Sequence, residues 1–156
     1  MSSVLFQPYR VALLSRSLSN VWRGYGSAIF LEFGPLSPTS KSDGSPGQSQ
    51  GEYTLMIEWS WRIEGPRSIL CGSWSDEQEW TDVFDSLIGR KVTDVALYGR
   101  LPEVTLALEG ERFITSFMTA EGQPAWTIFQ RSGNGRSPTS ISVIDGHVQE
   151  SAERSV

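Results

Sequence analysis

The chain has 156 residues, of which 38% are hydrophobic and 20% are charged, a length and composition typical of one globular domain with an apolar core. Eighteen Asp and Glu against 13 Lys and Arg leave a formal net charge of −5, which argues against binding of DNA or RNA and favours a basic partner. The apolar runs are far shorter than the roughly 20 residues of a membrane-spanning helix, and the N-terminus lacks the pattern of a secretory signal. We therefore expect a cytoplasmic protein that makes no contact with membranes.

The first third of the chain predicts a helix, a strand and a long loop. Pro8 and the apolar residues that follow it at near-helical spacing predict an amphipathic helix over residues 8–22. A compact run of strand-forming residues predicts a β-strand over 27–33. Residues 34–51 include 12 that are Gly, Pro or Ser, which favours a flexible loop inserted between two paired strands over a binding loop.

The clearest pattern lies between residues 52 and 64. Apolar and polar side chains alternate there with period two, which predicts one long half-buried strand that carries Trp59 and Trp61 on the same face. Gly65-Pro66 turns the chain, and residues 67–71 are expected to return beside this strand as its antiparallel partner.

A second amphipathic helix is predicted over residues 76–88, where Ser75 to Gln78 resembles a capping box and large apolar residues recur at helical spacing. Beyond this helix apolar and polar residues again alternate with period two, which predicts four strands, at 92–97, 104–108, 112–118 and 126–130. The composition after Arg131 predicts a mostly disordered tail over 132–156, with a short strand through 141–144 as the exception.

These elements predict an α+β fold, in which an antiparallel β-sheet of about six to seven strands packs against two amphipathic helices. Residues 1–131 are expected to form this single domain. The sequence leaves the strand order and the oligomeric state open.

Catalytic and metal-binding patterns are absent from the sequence. The one cysteine, Cys71, cannot form an internal disulfide, and the one histidine, His147, lies in the predicted tail, so neither a Cys-His nucleophile nor a structural metal site is expected. We expect Cys71 to be a small buried residue of a strand and His147 to be solvated. No Gly-rich phosphate-binding motif is present. The sequence therefore predicts neither a cofactor nor an enzyme.

A concentration of negative charge lies on the second predicted helix. Between Arg67 and Arg90 there is no Lys or Arg, and the carboxylates of this interval are Asp76, Glu77, Glu79, Asp82 and Asp85. A well-capped, solvated helix face would explain them, since acidic residues in a first turn favour the helix dipole. A concentrated acidic surface also steers association with basic partners, and tryptophan is a favoured interface anchor. Trp74 and Trp80 lie beside these carboxylates, and together they form the predicted partner-binding site.

An alternative site uses Glu58 and Arg62, which share one face of the predicted strand at 52–64. Both would line a cavity between sheet and helix in a small-molecule-binding or enzymatic domain. A surface ladder of charges is the simpler interpretation of the same residues.

Several short motifs carry a resemblance to a protein family. Phe30-Leu31-Glu32-Phe33-Gly34, Gly51-Glu52-Tyr53-x-Leu55, Trp61-Arg62-Ile63 and Trp126 together resemble a widespread family of small uncharacterised bacterial α+β proteins, over roughly residues 10–130. The resemblance implies a compact α+β domain and no particular reaction.

In size, acidity and tryptophan content the chain is also similar to immunity proteins that neutralise bacterial toxins. The leading hypothesis is therefore a cytoplasmic, immunity-type inhibitor that binds a basic toxin or effector domain through its acidic, aromatic patch. A small-molecule-binding domain and a subunit of a larger assembly are the alternatives.

Overall fold

A computed structural model of the protein describes residues 2–121, 124–131 and 137–152. Within these ranges there are two α-helices, α1 (Ser2–Leu13) and α2 (Trp80–Leu87), and a 3₁₀ turn at Glu77–Glu79 leads into α2. The same ranges contain eleven strands: β1 (Leu18–Arg23), β2 (Ile29–Phe33), β3 (Tyr53–Ile57), β4 (Trp61–Glu64), β5 (Ile69–Gly72), β6 (Val92–Tyr98), β7 (Glu103–Leu108), β8 (Arg112–Ser116), β9 (Trp126–Gln130), β10 (Thr139–Ile144) and β11 (His147–Ala152).

The strands form two antiparallel sheets. The first has six strands in the order β1-β2-β3-β9-β10-β11, and the second has five in the order β5-β4-β8-β7-β6. The prediction of an α+β fold with one sheet of six to seven strands is therefore wrong. The structure is mostly β, with 46% strand and 15% helix. The error has three local causes, which lie at residues 8–22, at residues 52–64 and after residue 137.

The predicted helix over 8–22 combines parts of two elements. Helix α1 ends at Leu13, and Ser15, with a φ of 69°, adopts a left-handed conformation that ends it. Leu18 and the residues after it then pair with β2 as strand β1. Pro8 lies inside α1 rather than at its start. A proline there removes one hydrogen bond to the carbonyl of Val4, which lies near the solvent-exposed beginning of the helix.

The predicted long strand over 52–64 is divided between the two sheets. Its first half, β3, pairs with β2 and β9, and its second half, β4, pairs with β5 and β8. Residues 58–60 make the crossing, where the Glu58 N–H donates to the Ala125 carbonyl (3.0 Å) and the Phe117 N–H donates to the Ser60 carbonyl (3.1 Å). Period-two alternation persists on both sides of a crossing, so the sequence gives no sign of it.

The end of the chain is more ordered than predicted. Residues 139–152 form the hairpin of β10 and β11, and β10 pairs with β9, which corrects the expected tail over this range. Asp145 and Gly146, with φ values of 52° and 76°, make the tight turn between the two strands. Residues 132–136 and 153–156, which the same prediction covers, lie outside the described residues.

Other predictions are confirmed. Strand β5 returns beside β4 as its antiparallel partner, and β7 and β8 form the predicted hairpin. The second amphipathic helix is present as α2, with Trp80, Phe84 and Leu87 on its buried side.

One hydrophobic core joins the two sheets. Apolar residues of β3 and β9 in the first sheet and of β4, β7 and β8 in the second belong to the same buried cluster. Trp61 and Trp126 are its largest fully buried side chains. Ile141 and Val148 of the last hairpin also belong to it, so residues beyond 131 contribute to the core.

Each helix links an edge strand of one sheet to an edge strand of the other. Helix α1 contacts β11 and β6, and α2 contacts β1 and β5. In α1, the Tyr9 hydroxyl donates to Glu150 of β11 (2.9 Å), and Arg10 forms a salt bridge with Asp94 of β6 (2.9 Å). The helices therefore lie against an edge strand of each sheet, and backbone bonds from Leu18 to Arg90 and from Val92 to Arg16 (both 2.9 Å) also join the starts of β1 and β6.

The segment over 34–51 carries its own ladder of hydrogen bonds. Ser37 and Gln50 exchange two backbone bonds (2.7 and 2.9 Å), and the Gly47 N–H donates to the Thr39 carbonyl (2.9 Å). At its base Gly51 packs so tightly that an added Cβ would lie 2.4 Å from the Phe33 carbonyl oxygen. The flexibility of this segment stays a prediction, but the structure gives it a defined base.

A buried carboxylate fixes that base. Glu32 is fully buried, and its Oε1 accepts from the Gly51 N–H (3.1 Å) and from the Thr54 hydroxyl, while its Oε2 accepts from the Trp22 indole N–H (2.8 Å). All three partners are donors, so the site requires a group that only accepts hydrogen bonds. An ionised glutamate meets this requirement, and an amide does not.

We expect Glu32→Gln to lower the free energy of unfolding by about 2 kcal/mol, because its amide N–H₂ must face a donor in either orientation. Denaturant unfolding of the variant and the parent protein measures the change. The matched control is Glu111→Gln, at an exposed position, which should stay within about 0.5 kcal/mol of the parent. Equal stability of all three proteins would contradict the assigned role of Glu32.

Candidate functional site

The predicted partner-binding residues lie around the start of α2. Asp76 caps the 3₁₀ turn, since its side chain accepts the Gln78 N–H at 3.0 Å. Ser75 does not cap the helix as the motif suggested; its hydroxyl hydrogen-bonds the backbone of Gly72 at the end of β5. These contacts fix how the acidic residues that follow project from the fold.

The two tryptophans of the predicted patch have different environments. Trp74 is 77% exposed, whereas Trp80 is only 3% exposed. The Trp80 indole N–H donates to the Gly72 carbonyl (3.0 Å), and its ring packs edge-to-face against Trp61 with the ring centres 4.9 Å apart. Trp80 is therefore a core residue that anchors α2, and Trp74 is the tryptophan that a partner can reach.

Four of the five acidic residues lie three apart along the turn and helix, and all four are exposed. We call this set, Asp76, Glu79, Asp82 and Asp85, the acidic face. Residues three apart are neighbours on a helix surface, so their charges are close together. Within the residues that the structure describes, no salt bridge pairs any of the four with a cation.

The Glu77 side chain is directed toward β1. Its carboxylate binds both terminal nitrogens of Arg23, at 2.7 and 3.0 Å. The Arg23 guanidinium also lies 4.9 Å from the centre of the Trp80 ring, in the geometry of a cation–π contact. One of the five predicted charges is therefore neutralised within the molecule.

A groove of about 250 Å³ runs between β1 and α2 beside this ion pair. Its wall is aromatic, from Trp22, Trp80 and Phe84, and its rim carries Glu77 and Asp85. Arg23 reaches into the same groove from β1. Aromatic faces next to carboxylates suit a guanidinium, which the position of Arg23 illustrates directly.

Asp85 lies where the helix dipole disfavours a negative charge. It is in the last turn of α2, which ends at Leu87 and carries no basic residue in that turn. Capping explains Asp76, and the dipole favours Glu79 and Asp82 near the start of the helix. Neither effect accounts for Asp85, so a solvated, well-capped helix explains only part of the acidic face.

The two residues of the alternative site lie in different segments of the fold. Arg62 forms a salt bridge with Glu64 (3.2 Å) on β4 and lines a shallow groove with Arg67 and Phe113. Glu58 lies in the crossing between β3 and β4, outside that groove. The two residues share a face only if residues 52–64 form one strand, and the crossing removes that condition.

Cys71 lies in β5 and is 2% exposed. Burial, with a smaller contribution from the charge of Glu79, raises the pKa of its thiol to about 12. The reactive species of a cysteine is the thiolate, so this thiol is inert at neutral pH.

His147 is exposed at the start of β11 rather than in a tail. Among the described residues, no three His, Cys, Asp or Glu side chains are grouped so that they could hold a metal ion.

Sequence reasoning missed the contribution of β1 to this site. Trp22 is the last residue of the predicted first helix and Arg23 follows it, and only the packing of β1 against α2 brings them beside Glu77. The pairing joins residues more than fifty positions apart, and no local pattern signals it.

Comparison with known proteins finds no matching family model, and neither a curated protein nor a solved structure matches the chain. Across the described ranges, neither helix combines the length and the apolar character that crossing a bilayer requires. The resemblances noted in the sequence stay predictions.

We expect opposite effects on stability from two substitutions in the acidic residues. Asp76→Ala removes the side-chain cap and should lower the free energy of unfolding by about 1 kcal/mol. Asp85→Asn removes a negative charge that the helix dipole and the neighbouring carboxylates disfavour, and it should raise the free energy of unfolding by about 0.5 kcal/mol. Urea unfolding at low and high salt measures both changes. The gain from Asp85→Asn should shrink as salt screens the charges, and a loss of stability instead would mean that Asp85 supports the fold.

We expect Cys71 to react with iodoacetamide at pH 8 far more slowly in the native protein than in the protein unfolded by guanidinium chloride. Burial both covers the sulfur and disfavours the thiolate. Mass spectrometry of the time course measures the rate, with the unfolded protein as the reference. Because the unfolded chain loses the thiol proton near its ordinary pKa, stability should also fall as pH rises from about 9 towards 12. Native labelling at the rate of a free thiol would contradict the buried position.

Proposed function

We propose that this chain is a cytoplasmic protein-binding domain, and that it acts as an immunity-type inhibitor which docks Trp74 and the acidic face onto a basic toxin or effector domain. The observation that carries the proposal is the exposed Trp74 ring beside carboxylates that no described cation pairs. An indole and unpaired charges on one surface match the anatomy of a protein interface, with an aromatic anchor and a charged rim.

Trp74 has the properties of an anchor residue. It lies in the short connection between β5 and the 3₁₀ turn, whose ends are fixed by the Ser75 hydrogen bonds to Gly72 and by the Asp76 cap. The side chain is thus presented from a constrained segment, which lowers the entropy lost on binding. Most of its large apolar surface faces solvent instead of the core, so the side chain is available for contact with a partner.

The acidic face supplies long-range attraction. The chain has a net charge of −5, and the four carboxylates of the acidic face concentrate charge next to Trp74. Such a surface raises the rate of encounter with a basic partner, and the effect weakens with salt. The unfavourable position of Asp85 in α2 agrees with a charge that serves binding rather than folding.

The groove beside the acidic face indicates the chemistry that this region accepts. Arg23 lies against Trp80 and binds Glu77 through two nitrogens. Arginine side chains of a basic partner would meet a similar combination in the exposed Trp74 ring and the carboxylates of the acidic face. The proposal therefore favours a partner whose contact surface is rich in arginine.

The test begins with capture of the tagged protein's partner from its own cells at low salt, followed by kinetic measurements with the purified pair. We expect Glu79→Lys/Asp82→Lys to slow association by about tenfold at low salt, and the difference to narrow at high salt. Trp74→Ala should mainly speed dissociation, because it removes an anchor rather than a charge.

The matched control is Glu58→Lys/Glu111→Lys, which changes the net charge by the same amount at residues outside the acidic face. Its association rate should change far less than that of the α2 variant. Equal effects of the two variants would assign the attraction to net charge alone and remove the acidic face from the interface. If the captured partner is a toxin, co-expression of the parent chain, and not of the α2 variant, should restore growth; a captured partner whose activity is unaffected would exclude the inhibitory role.

A further inference from the structure

A separate cleft lies where the chain crosses between the two sheets. It has a volume of about 420 Å³, which is within the range of ligand-binding pockets. Four segments surround it: Trp59 in the link between β3 and β4, the β6–β7 turn at 101–102, residues 118–121 after β8, and the β10–β11 turn at 145–146. None of these residues belongs to the acidic face or to the groove beside α2.

One part of the cleft wall is apolar. Trp59 is half-buried, and its neighbours in the wall are Leu101, Pro102, Met118, Ala125 and Val143. The Leu101 side chain reaches the opposite turn, where a Cβ added to Gly146 would lie 3.3 Å from its Cδ2. The turns of the two sheets thus touch at one side of the cleft and leave a concave apolar surface beneath them.

The charges around the cleft are all negative. Glu103, Glu121 and Asp145 line it, and no Lys or Arg does so among the residues that the structure describes. The Glu103 carboxylate is held in place, since its Oε1 accepts from the Ser116 hydroxyl (2.9 Å) and its Oε2 from the Met118 N–H. One fixed and two exposed carboxylates therefore face a cavity with an aromatic wall.

We propose that this cleft binds a small organic cation, an ammonium group carried on an apolar body. The apolar body would lie against Trp59 and Met118, and the ammonium would face Glu121 and Asp145. An anion would meet three carboxylates with no compensating cation in the described lining. Within the described residues these carboxylates do not form a metal-binding group, so their charge is spread around the opening, which suits an organic cation better than a metal ion.

The test uses three probes of the same shape and different charge: 3-phenylpropylammonium, 3-phenylpropionate and 3-phenylpropan-1-ol. Each is titrated into the ¹⁵N-labelled full chain, and the indole N–H signals of the six tryptophans are followed. The Trp59 signal is assigned from its loss in Trp59→Phe. We expect the ammonium probe to shift the Trp59 signal saturably, to leave the Trp74 signal in place, and to bind more weakly as salt increases.

The decisive variant is Glu121→Gln/Asp145→Asn, which removes two charges and keeps the side-chain shapes. Asparagine tolerates the left-handed backbone that Asp145 adopts, so the turn is preserved. We expect its Kd for 3-phenylpropylammonium to rise about tenfold. The matched control, Glu79→Gln/Asp82→Asn, removes two charges from the acidic face and should leave that Kd within about twofold.

Three results would overturn the proposal: no shift of the Trp59 signal by the ammonium probe, an equal shift by the propionate or the alcohol, or an equal loss of affinity in the control variant. The first would mean that the cleft is not a ligand site. The second would assign the binding to apolar contact alone, and the third would assign it to the net charge of the molecule. Each result is independent of whether a protein partner binds the acidic face.

Discussion

The crossing at residues 58–60 determines how the rest of the chain is arranged. A continuous alternating segment leaves the first sheet at Ile57 and enters the second at Trp61. The link between β8 and β9 crosses beside it, because β3 pairs with β9 and β4 pairs with β8. The bonds from Glu58 to Ala125 and from Phe117 to Ser60 hold the two crossings together. The two sheets connected in this way share one core, and the ends of several of their strands line the cleft at the point of crossing.

That arrangement creates two further requirements, which the helices and the buried polar groups meet. Two sheets have four edge strands, and α1 and α2 each contact one edge strand from each sheet. Helix α1 does so through Tyr9 and Arg10, which are adjacent in the sequence and bind different sheets. On the outer side of the first sheet, Glu32 satisfies three donors at the base of the 34–51 segment. Removal of one member of a buried hydrogen-bonded set leaves the others unsatisfied, so such sets define one packing of the chain.

The sequence predicts the local elements better than it predicts their assembly. The hairpin of β4 and β5, the hairpin of β7 and β8, and helix α2 all follow from periodicity and turn residues that lie within a few positions of one another. The crossing at 58–60 leaves the alternation intact and depends on bonds to Phe117 and Ala125, which are remote in sequence. Most of strand β1 falls within the predicted first helix, because over so short a run its apolar residues fit both the helical period of 3.6 and the strand period of two. The Asp145-Gly146 pair is a local signal for the last hairpin. The polar composition of the residues around this pair instead favoured the prediction of a mostly disordered tail.

The same distinction separates the two halves of the predicted site. Which carboxylates are neighbours along the helix follows from their spacing, and the structure leaves Asp76, Glu79, Asp82 and Asp85 all exposed. Which tryptophan is exposed depends on tertiary contacts, since Trp80 turns inward to Trp61 and Gly72 while Trp74, six residues earlier, is 77% exposed.

The acidic residues can also be divided by what the fold needs from them. Glu32, Glu77 and Glu103 accept hydrogen bonds that hold segments together. Asp82, Asp85, Glu121 and Asp145 make no such contact among the described residues, and Asp85 opposes the dipole of its own helix. The first set therefore supports the fold directly, whereas no described contact ties the second set to it. Because the two groups of free carboxylates lie on different elements, α2 and the rim of the cleft, each can be altered without disturbing the other.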